Sequence, residues 1–221
     1  MVTVHSHQNS RVQISSVEEV VPGIYLIGFR REFDFVPGQV LGISLEKEGP
    51  RRLYSICSGN RDDEVLVLFN VIDEGYLTPL LAALEEGDPL WITAPRGTFT
   101  CTEEPAVWIA AGTGIAPFYS MFRSGLSDGK TLIHGTRYLE QFLFYDEFAA
   151  SLGERYIRCC TGEEHEGVYH GRVTSYLQEQ PLLQTDTKYY LCGSTEMVVD
   201  TRDILIAKGV PFDHIVSEIY F

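Results

Sequence analysis

The densest chemistry in the first half of the chain is the tetrad Arg52-Leu53-Tyr54-Ser55. On a strand, alternation puts Arg52 and Tyr54 on one face and Ser55 on the other. A cation and an aromatic ring then stand together, able to hold a phosphate and a flat ring. Arginine suits that task better than lysine, because its planar fork pairs bidentately with phosphate oxygens. Twenty residues on, Gly75-Tyr76-Leu77-Thr78 opens a short helix whose free amides offer a second anion site. The plainer reading is a surface Arg beside a half-buried Tyr, followed by an ordinary helix start. Two anion sites on one small segment weigh against it.

In the second half the stretch AVWIAAGTGIAP places Gly112 and Gly114 between an apolar strand and a helix beginning near Pro117. Bare amides there can approach a diphosphate at a helix N-terminus. The pattern departs from G-x-G-x-x-G, and a tight strand-to-helix turn with no ligand would look the same. The next strand, TLIHGTR, ends in Arg137, where a fold preferring NAD carries Asp or Glu. An arginine there suits a phosphate better.

These residues need two kinds of scaffold. Up to about residue 98 the text reads as six short strands: Arg11 to Val17, Ile24 to Phe29, Gln39 to Leu45, Arg52 to Cys57, Val65 to Val71 and Leu90 to Thr93. Pro22-Gly23, Pro37-Gly38, Gly49-Pro50 and Gly59-Asn60 punctuate them. One helix, Pro79 to Leu84, interrupts, with Thr78 as N-cap and Gly87 after its end. That spacing predicts a small antiparallel barrel. From about Glu104 a strand and a helix alternate. Strands fall at Ala106 to Ala111, Thr131 to Gly135, Tyr156 to Cys160 and Tyr189 to Cys192, with Ile215 to Tyr220 closing. Helices fall at Ala116 to Arg123, Glu140 to Ser151, Arg172 to Gln180 and Thr195 to Lys208. This rhythm predicts a doubly wound, five-stranded parallel sheet, whose ligands sit at the carboxyl ends of its strands.

Composition removes other classes. The 221 residues suit one large domain or two small ones, and 44% hydrophobic with 22% charged residues is ordinary globular usage. A formal charge of −14 opposes binding to nucleic acid. No apolar run reaches the roughly 18 residues of a membrane helix, and the polar start MVTVHSHQNS is no signal peptide. The five cysteines, 57, 101, 159, 160 and 192, lack C-x2-C spacing, and the six histidines form no ligand set, so no metal is expected. Odd, scattered cysteines point to a reducing cytoplasm. No G-x-S-x-G or Ser-His-Asp arrangement supports hydrolysis.

Taken in order, RLYS (52–55), GYLT (75–78), AAGTGIAP (110–117), LCGS (191–194) and EIYF (218–221) resemble the ferredoxin/flavodoxin–NADP reductase family, its bacterial branch in particular, from about residue 11 onward. The resemblance implies an FAD-binding barrel over residues 1–98 and a nicotinamide-binding α/β domain over 99–221. It implies a hydride exchanged with NADP(H), with NAD(H) as the alternative, and single electrons exchanged with ferredoxin or flavodoxin. Arg52 would pair with the flavin diphosphate, with Leu53 beside it; Tyr54 would pack on the flavin ring and Ser55 would reach toward it. Asn70, Val71 and Ile72 would line the ring and its ribityl chain, and Leu77 and Thr78 would cap the phosphates. For these five, barrel core is the plainer alternative.

The same resemblance gives Gly112, Thr113 and Gly114 to the dinucleotide, and Thr136, Arg137 and Arg172 to its phosphate end, with Arg158 nearby. Cys192, Gly193 and Ser194 would border the nicotinamide, with Glu218 as a polar neighbour, although Cys192 could equally be an inert buried thiol. Tyr220 would cover the flavin and Phe221 its adenine half. Two features depart from the pattern. The loop after the third parallel strand reads Thr161-Gly162-Glu163-Glu164, acidic where a 2′-phosphate would want cations. Residues 1–100 carry 8 basic and 14 acidic side chains, an awkward surface for an acidic partner unless Arg30, Arg31, Arg51 and Arg61 cluster. Two alternatives therefore stand: the NADH-dependent reductase component of an oxygenase, and a flavin-binding electron-transfer subunit of a larger complex.

Overall fold

Two hydrophobic periodicities divide the molecule. The computed structural model describes residues 9–220, and its backbone contacts separate one unit ending at Thr100 from a second beginning at Cys101. The expected site residue Phe221, with His5 and His7, lies outside the described residues.

The first unit is a six-stranded antiparallel barrel built from β1 (Ser10–Val21), β2 (Ile24–Arg30), β3 (Val40–Ser44), β4 (Arg52–Ser55), β5 (Glu64–Asn70), α1 (Thr78–Ala82) and β6 (Pro89–Ile92). The strands lie in the order β4-β3-β6-β1-β2-β5. Alternation sets the inside. On β5, Val65, Val67 and Phe69 point into the core, where Ile27, Leu41 and Leu81 meet them. Pro22-Gly23 turns β1 into β2, with Gly23 at φ +78°, a left-handed conformation that glycine adopts without steric cost.

β4 was expected to run to Cys57, but it ends at Ser55 because the chain changes partner there. Ile56 still donates to the Gln39 carbonyl at 3.0 Å, while Cys57 donates to Leu66 at 2.8 Å and Ile56 bridges Val67. That switch from β3 to β5 closes the barrel. The helix also differs. Thr78 is its first residue and not its N-cap, since its Oγ1 accepts from the Ile72 amide at 2.9 Å, and the helix stops at Ala82 after little more than one turn.

The second unit comprises β7 (Ala106–Ala111), α2 (Ala116–Arg123), β8 (Lys130–Thr136), α3 (Tyr145–Leu152), β9 (Tyr156–Cys160), β10 (Tyr169–His170), α4 (Val173–Glu179), β11 (Lys188–Ser194), α5 (Thr195–Ala207) and β12 (Ile215–Tyr220). Its strands are all parallel, in the order β10-β9-β8-β7-β11-β12. The sheet has six strands where five were expected. The extra one, β10, spans two residues beside Cys159 and Cys160, too short to leave a periodic signal. The helix expected from Glu140 starts only at Tyr145, because Phe144 adopts φ +59° and stacks on Tyr119 with centroids 3.6 Å apart. At the base of β8, Lys130 is fully buried, and its ammonium donates to the Glu104 carbonyl at 2.6 Å. A buried cation needs such partners. Among the described residues no helix is long and apolar enough to cross a membrane.

Candidate functional site

Candidate residues occur in both units. In the barrel, β4 presents Arg52 to solvent. Its guanidinium touches only the neighbouring Arg51 carbonyl, at 3.1 Å, and has no carboxylate partner among the described residues. Beside it Tyr54 is half-buried, its ring edge-on to Phe69 at 6.1 Å. Burial pushes the Tyr54 phenol up to about 12, with Arg52 pulling the other way, so the hydroxyl stays neutral. Ser55, on the opposite face, is buried.

The barrel also leaves large apolar side chains uncovered: Leu53, between Arg52 and Tyr54, and Ile72 are each 51% exposed and Tyr76 is 59% exposed. A flat, partly apolar ligand carrying phosphate fits that combination of an unpaired guanidinium and bare apolar side chains. Asn70 ends β5 exposed, and Val71 donates to the Gly23 carbonyl at 2.8 Å. The turn from Ile72 to Thr78 is closed twice, by Gly75 donating to the Ile72 carbonyl at 2.7 Å and by the Thr78 hydroxyl described above. Leu77 is buried in the core. Of the four arginines considered for docking, Arg31 is occupied internally. Its Nε donates to the Asp62 carbonyl at 2.6 Å, and its Nη1 reaches Phe33 O and Asp34.

In the α/β unit, β7 runs into a 3-10 turn, Gly112–Ile115, that leads directly into α2. Gly112 stands at φ +54°. A Cβ on Gly114 would fall onto the Cys192 carbonyl oxygen and within 2.6 Å of its carbon. Only glycine permits this approach, which sets the first turn against the end of β11. Cys192 pairs in register with Ala110 on one side and Glu218 on the other, and Ser194 pairs with Tyr220. The structure thus brings Gly112, Gly114, Cys192, Gly193, Glu218 and Tyr220 to one end of adjacent strands, where doubly wound sheets hold ligands. The Cys192 thiol is fully buried and its pKa is raised well above the ordinary value, first by desolvation and then by the Glu218 charge. It is a neutral, compact side chain there and no thiolate nucleophile. Ser194 caps α5, its Oγ accepting from Met197 at 3.3 Å.

The residues expected at the phosphate end are partly engaged already. Thr136 donates to the Tyr138 carbonyl at 3.0 Å, and the Arg137 guanidinium lies over the Tyr138 ring at 5.3 Å. Arg172 forms an exposed ion pair with Glu196 at 2.9 Å. Glu163 accepts from the Leu139 amide at 2.6 Å, which ties the acidic loop to the end of β8. Arg158 is elsewhere. It stacks on Tyr145 at 4.5 Å beside a cleft of about 500 Å3 that Tyr156, Tyr169 and Tyr176 also line. Sequence reasoning did not single out Glu196 or Tyr138, since neither belongs to a motif. It also passed over His134, one apolar-face histidine among strand residues.

Comparison with known proteins places these features in context. Residues 108–203 match the family model described as an oxidoreductase NAD-binding domain. The electron transfer subunit of a probable dihydroorotate dehydrogenase B (NAD(+)) from Pyrococcus abyssi is 33% identical over 200 residues, covering 88% of this chain and 74% of that protein. The electron transfer component of toluate 1,2-dioxygenase from Pseudomonas putida is 28% identical over 187 residues. There the match covers 80% of this chain but only 56% of the longer relative. In fold, a ferredoxin NADP+ reductase from Neisseria gonorrhoeae, solved with bound FAD and NADP, superposes with a TM-score of 0.87 at 24% identity, over 96% of this chain and 99% of that one.

Proposed function

The chain belongs to the ferredoxin–NADP reductase family, and from that premise we propose that it is a flavin-dependent oxidoreductase which exchanges a hydride with a nicotinamide dinucleotide and single electrons with ferredoxin or flavodoxin, in the cytoplasm. The observation that carries this reading is the contact of Gly114 with the Cys192 backbone, which builds a side-chain-free cradle beside Glu218 and Tyr220. When bound, FAD supplies the conversion between one two-electron transfer and two one-electron transfers.

The residues of this chain bind and orient. Arg52 neutralises phosphate charge, Leu53 and Tyr54 cover the ring, and Ser55 offers a hydroxyl from the buried face of β4. Asn70, Val71, Ile72 and Thr78 shape the neighbouring turn. In the α/β unit Gly112, Thr113 and Gly114 receive the diphosphate, with Arg137 and Arg172 reserved for a 2′-phosphate. Cys192 and Gly193 leave room for the nicotinamide, and Glu218 and Tyr220 border it. Hydride transfer needs no proton from the protein, which agrees with a thiol held neutral at Cys192.

A second reading has its own support: Arg172 is already paired with Glu196, and Glu163 anchors an acidic loop where a 2′-phosphate would rest. Both favour NADH and a role as the reductase component of an oxygenase or as an electron-transfer subunit. Anaerobic titration of the flavin absorbance at about 450 nm decides. Preferential bleaching by NADPH supports the first reading and by NADH the second; protein that neither carries nor takes up flavin would end both.

A further inference from the structure

The outer edge of the parallel sheet carries a cleft that the function above does not use. β10 pairs only with Cys159 and Cys160, so among the described residues no strand runs along the outer edge of β9 from Tyr156 to Arg158. The space there measures about 500 Å3 and is walled by Tyr145 of α3, Tyr156 of β9, Tyr169 of β10 and Tyr176 of α4, with Arg158 half-buried among them and Glu154 exposed. That volume lies within the range of small-molecule sites. The cleft begins at Gly153 and Tyr156, where β9 starts, whereas the glycine turn and Cys192 stand at the carboxyl ends of their strands.

The aromatic walls hold one another. Tyr145 and Tyr156 have ring centroids 6.1 Å apart, Tyr169 meets Tyr176 edge-on at 5.3 Å, and the Tyr169 hydroxyl donates to Glu179 at 2.7 Å. Arg158 is held by rings alone. Its guanidinium lies 4.5 Å from the Tyr145 centroid and 5.7 Å from that of Phe142, and no carboxylate or carbonyl among the described residues pairs with it. Ring contact offsets part of the charge but gives none of the five N–H donors an oxygen. Gly167 keeps one side of the fork open. A Cβ there would stand 3.9 Å from Nη2, and its φ of +74° favours glycine.

We propose that this cleft is a binding site for a planar aromatic monocarboxylate, its carboxylate paired with the Arg158 fork and its ring packed among the tyrosines. Guanidinium and carboxylate match in shape as well as charge. A flat ring gains face and edge contacts from the four phenols. An aliphatic acid satisfies the cation alone, and a neutral aromatic satisfies the walls alone. Glu154 sets the limit of charge, because a second carboxylate on the ligand would meet it in a chain that already carries −14. The site binds and performs no chemistry of its own, so it is independent of the redox reading.

The test uses the full chain as purified, with affinities from calorimetry. Benzoate is the probe; cyclohexanecarboxylate supplies the charge without the flat ring, and benzamide the ring without the charge. Benzoate is expected to bind saturably, and each of the other two at least about tenfold more weakly. Arg158→Gln is expected to weaken benzoate about tenfold with the melting temperature lowered by no more than about 2 °C, and Glu154→Gln to tighten it about 2–5-fold. Saturating NAD+ or NADP+ is expected to leave benzoate binding unchanged. Absence of saturable binding would overturn the proposal, as would equal affinity for the three probes or a benzoate affinity that Arg158→Gln leaves intact. Displacement of benzoate by either dinucleotide would overturn it too, because the acid would then be occupying the dinucleotide site. If Arg158→Gln unfolds, the exposed Glu154 decides: an unchanged benzoate affinity in Glu154→Gln overturns the proposal.

Discussion

Gly114 has no side chain because the Cys192 carbonyl occupies the place one would take. The first strand-to-helix turn of the α/β unit is thereby seated on the end of β11 with no spacer. Gly114→Ala forces β11 or the turn to move, an overpacking that costs about 1–3 kcal/mol. For a chain of this size the melting temperature should fall by about 2–4 °C for each kcal/mol. Dinucleotide affinity should fall further than stability does, since the displaced atoms line the cradle. Unaltered affinity at a lowered melting temperature would show that the contact is structural only.

His134 sets a pH dependence. Its pKa is about 4 in the folded protein against 6.5 as the ordinary value. Between those limits the unfolded chain binds the proton and the folded one does not. The contribution is therefore fully present above about pH 6.5 and is lost as pH falls toward 4, by up to about 3 kcal/mol. Urea midpoints measured at pH 7.5 and pH 5 should separate in the parent protein, and this part of the separation should vanish in His134→Gln.

The Arg172–Glu196 pair is exposed on both sides, 66% and 70% by side chain, so breaking it should change stability by less than about 1 kcal/mol. Glu196→Gln frees the guanidinium. We expect the apparent affinity for NADPH to rise by about 2–5-fold with that for NADH unchanged, and Arg172→Ala to act in the reverse direction. If neither substitution moves the NADPH affinity, Arg172 has no part in binding the phosphate.

Arg52 makes one bond to its neighbour's carbonyl and is exposed, so its removal should leave the barrel folded. Charge-assisted bonds to phosphate contribute about 1.5–3 kcal/mol each, so Arg52→Ala should weaken FAD by about 10–100-fold, and Arg52→Lys should restore only part of this. Flavin content after gel filtration, compared with the melting curve of the same sample, checks both halves of the statement.

Charge reversal tests docking most cleanly at Arg30, which is exposed at the end of β2. Arg30→Glu should slow electron transfer to an acidic protein carrier by several-fold at low salt while leaving ferricyanide reduction unchanged. Arg31 is a poor choice, because its bond to the Asp62 carbonyl holds the β4–β5 loop. An unchanged rate with the carrier removes this surface from consideration.

Residue patterns carried the two-unit layout, because turn residues and strand-to-helix alternation are local signals. The barrel strands and the glycine turn of β7 were legible for the same reason. Local signals miss partner changes: nothing in Arg52 to Cys57 marks the point where the chain passes from β3 to β5. They miss β10, whose two residues owe their strand form to β9 alone. They also put a helix across Phe144, where packing on Tyr119 overrides propensity. In the site, Arg137 and Arg172 stood out by type, but the Glu196 contact that occupies Arg172 is tertiary, and the neighbouring Tyr138 that lies under Arg137 belongs to no motif.

The switch of Ile56 and Cys57 from β3 to β5 has a mechanical meaning. The barrel is a zipper whose last teeth include the Ile56–Val67 bridge, the Cys57 amide bond to Leu66 and the Leu66 amide bond to the Ser58 hydroxyl, and the strand leading into them carries Arg52, Tyr54 and Ser55. Local opening costs least where a strand changes partner over a short seam. On the proposed function, a cofactor lying on that strand would be the clasp of the zipper. Fading of the yellow colour on warming would then mark the first rupture of the barrel, ahead of its collapse.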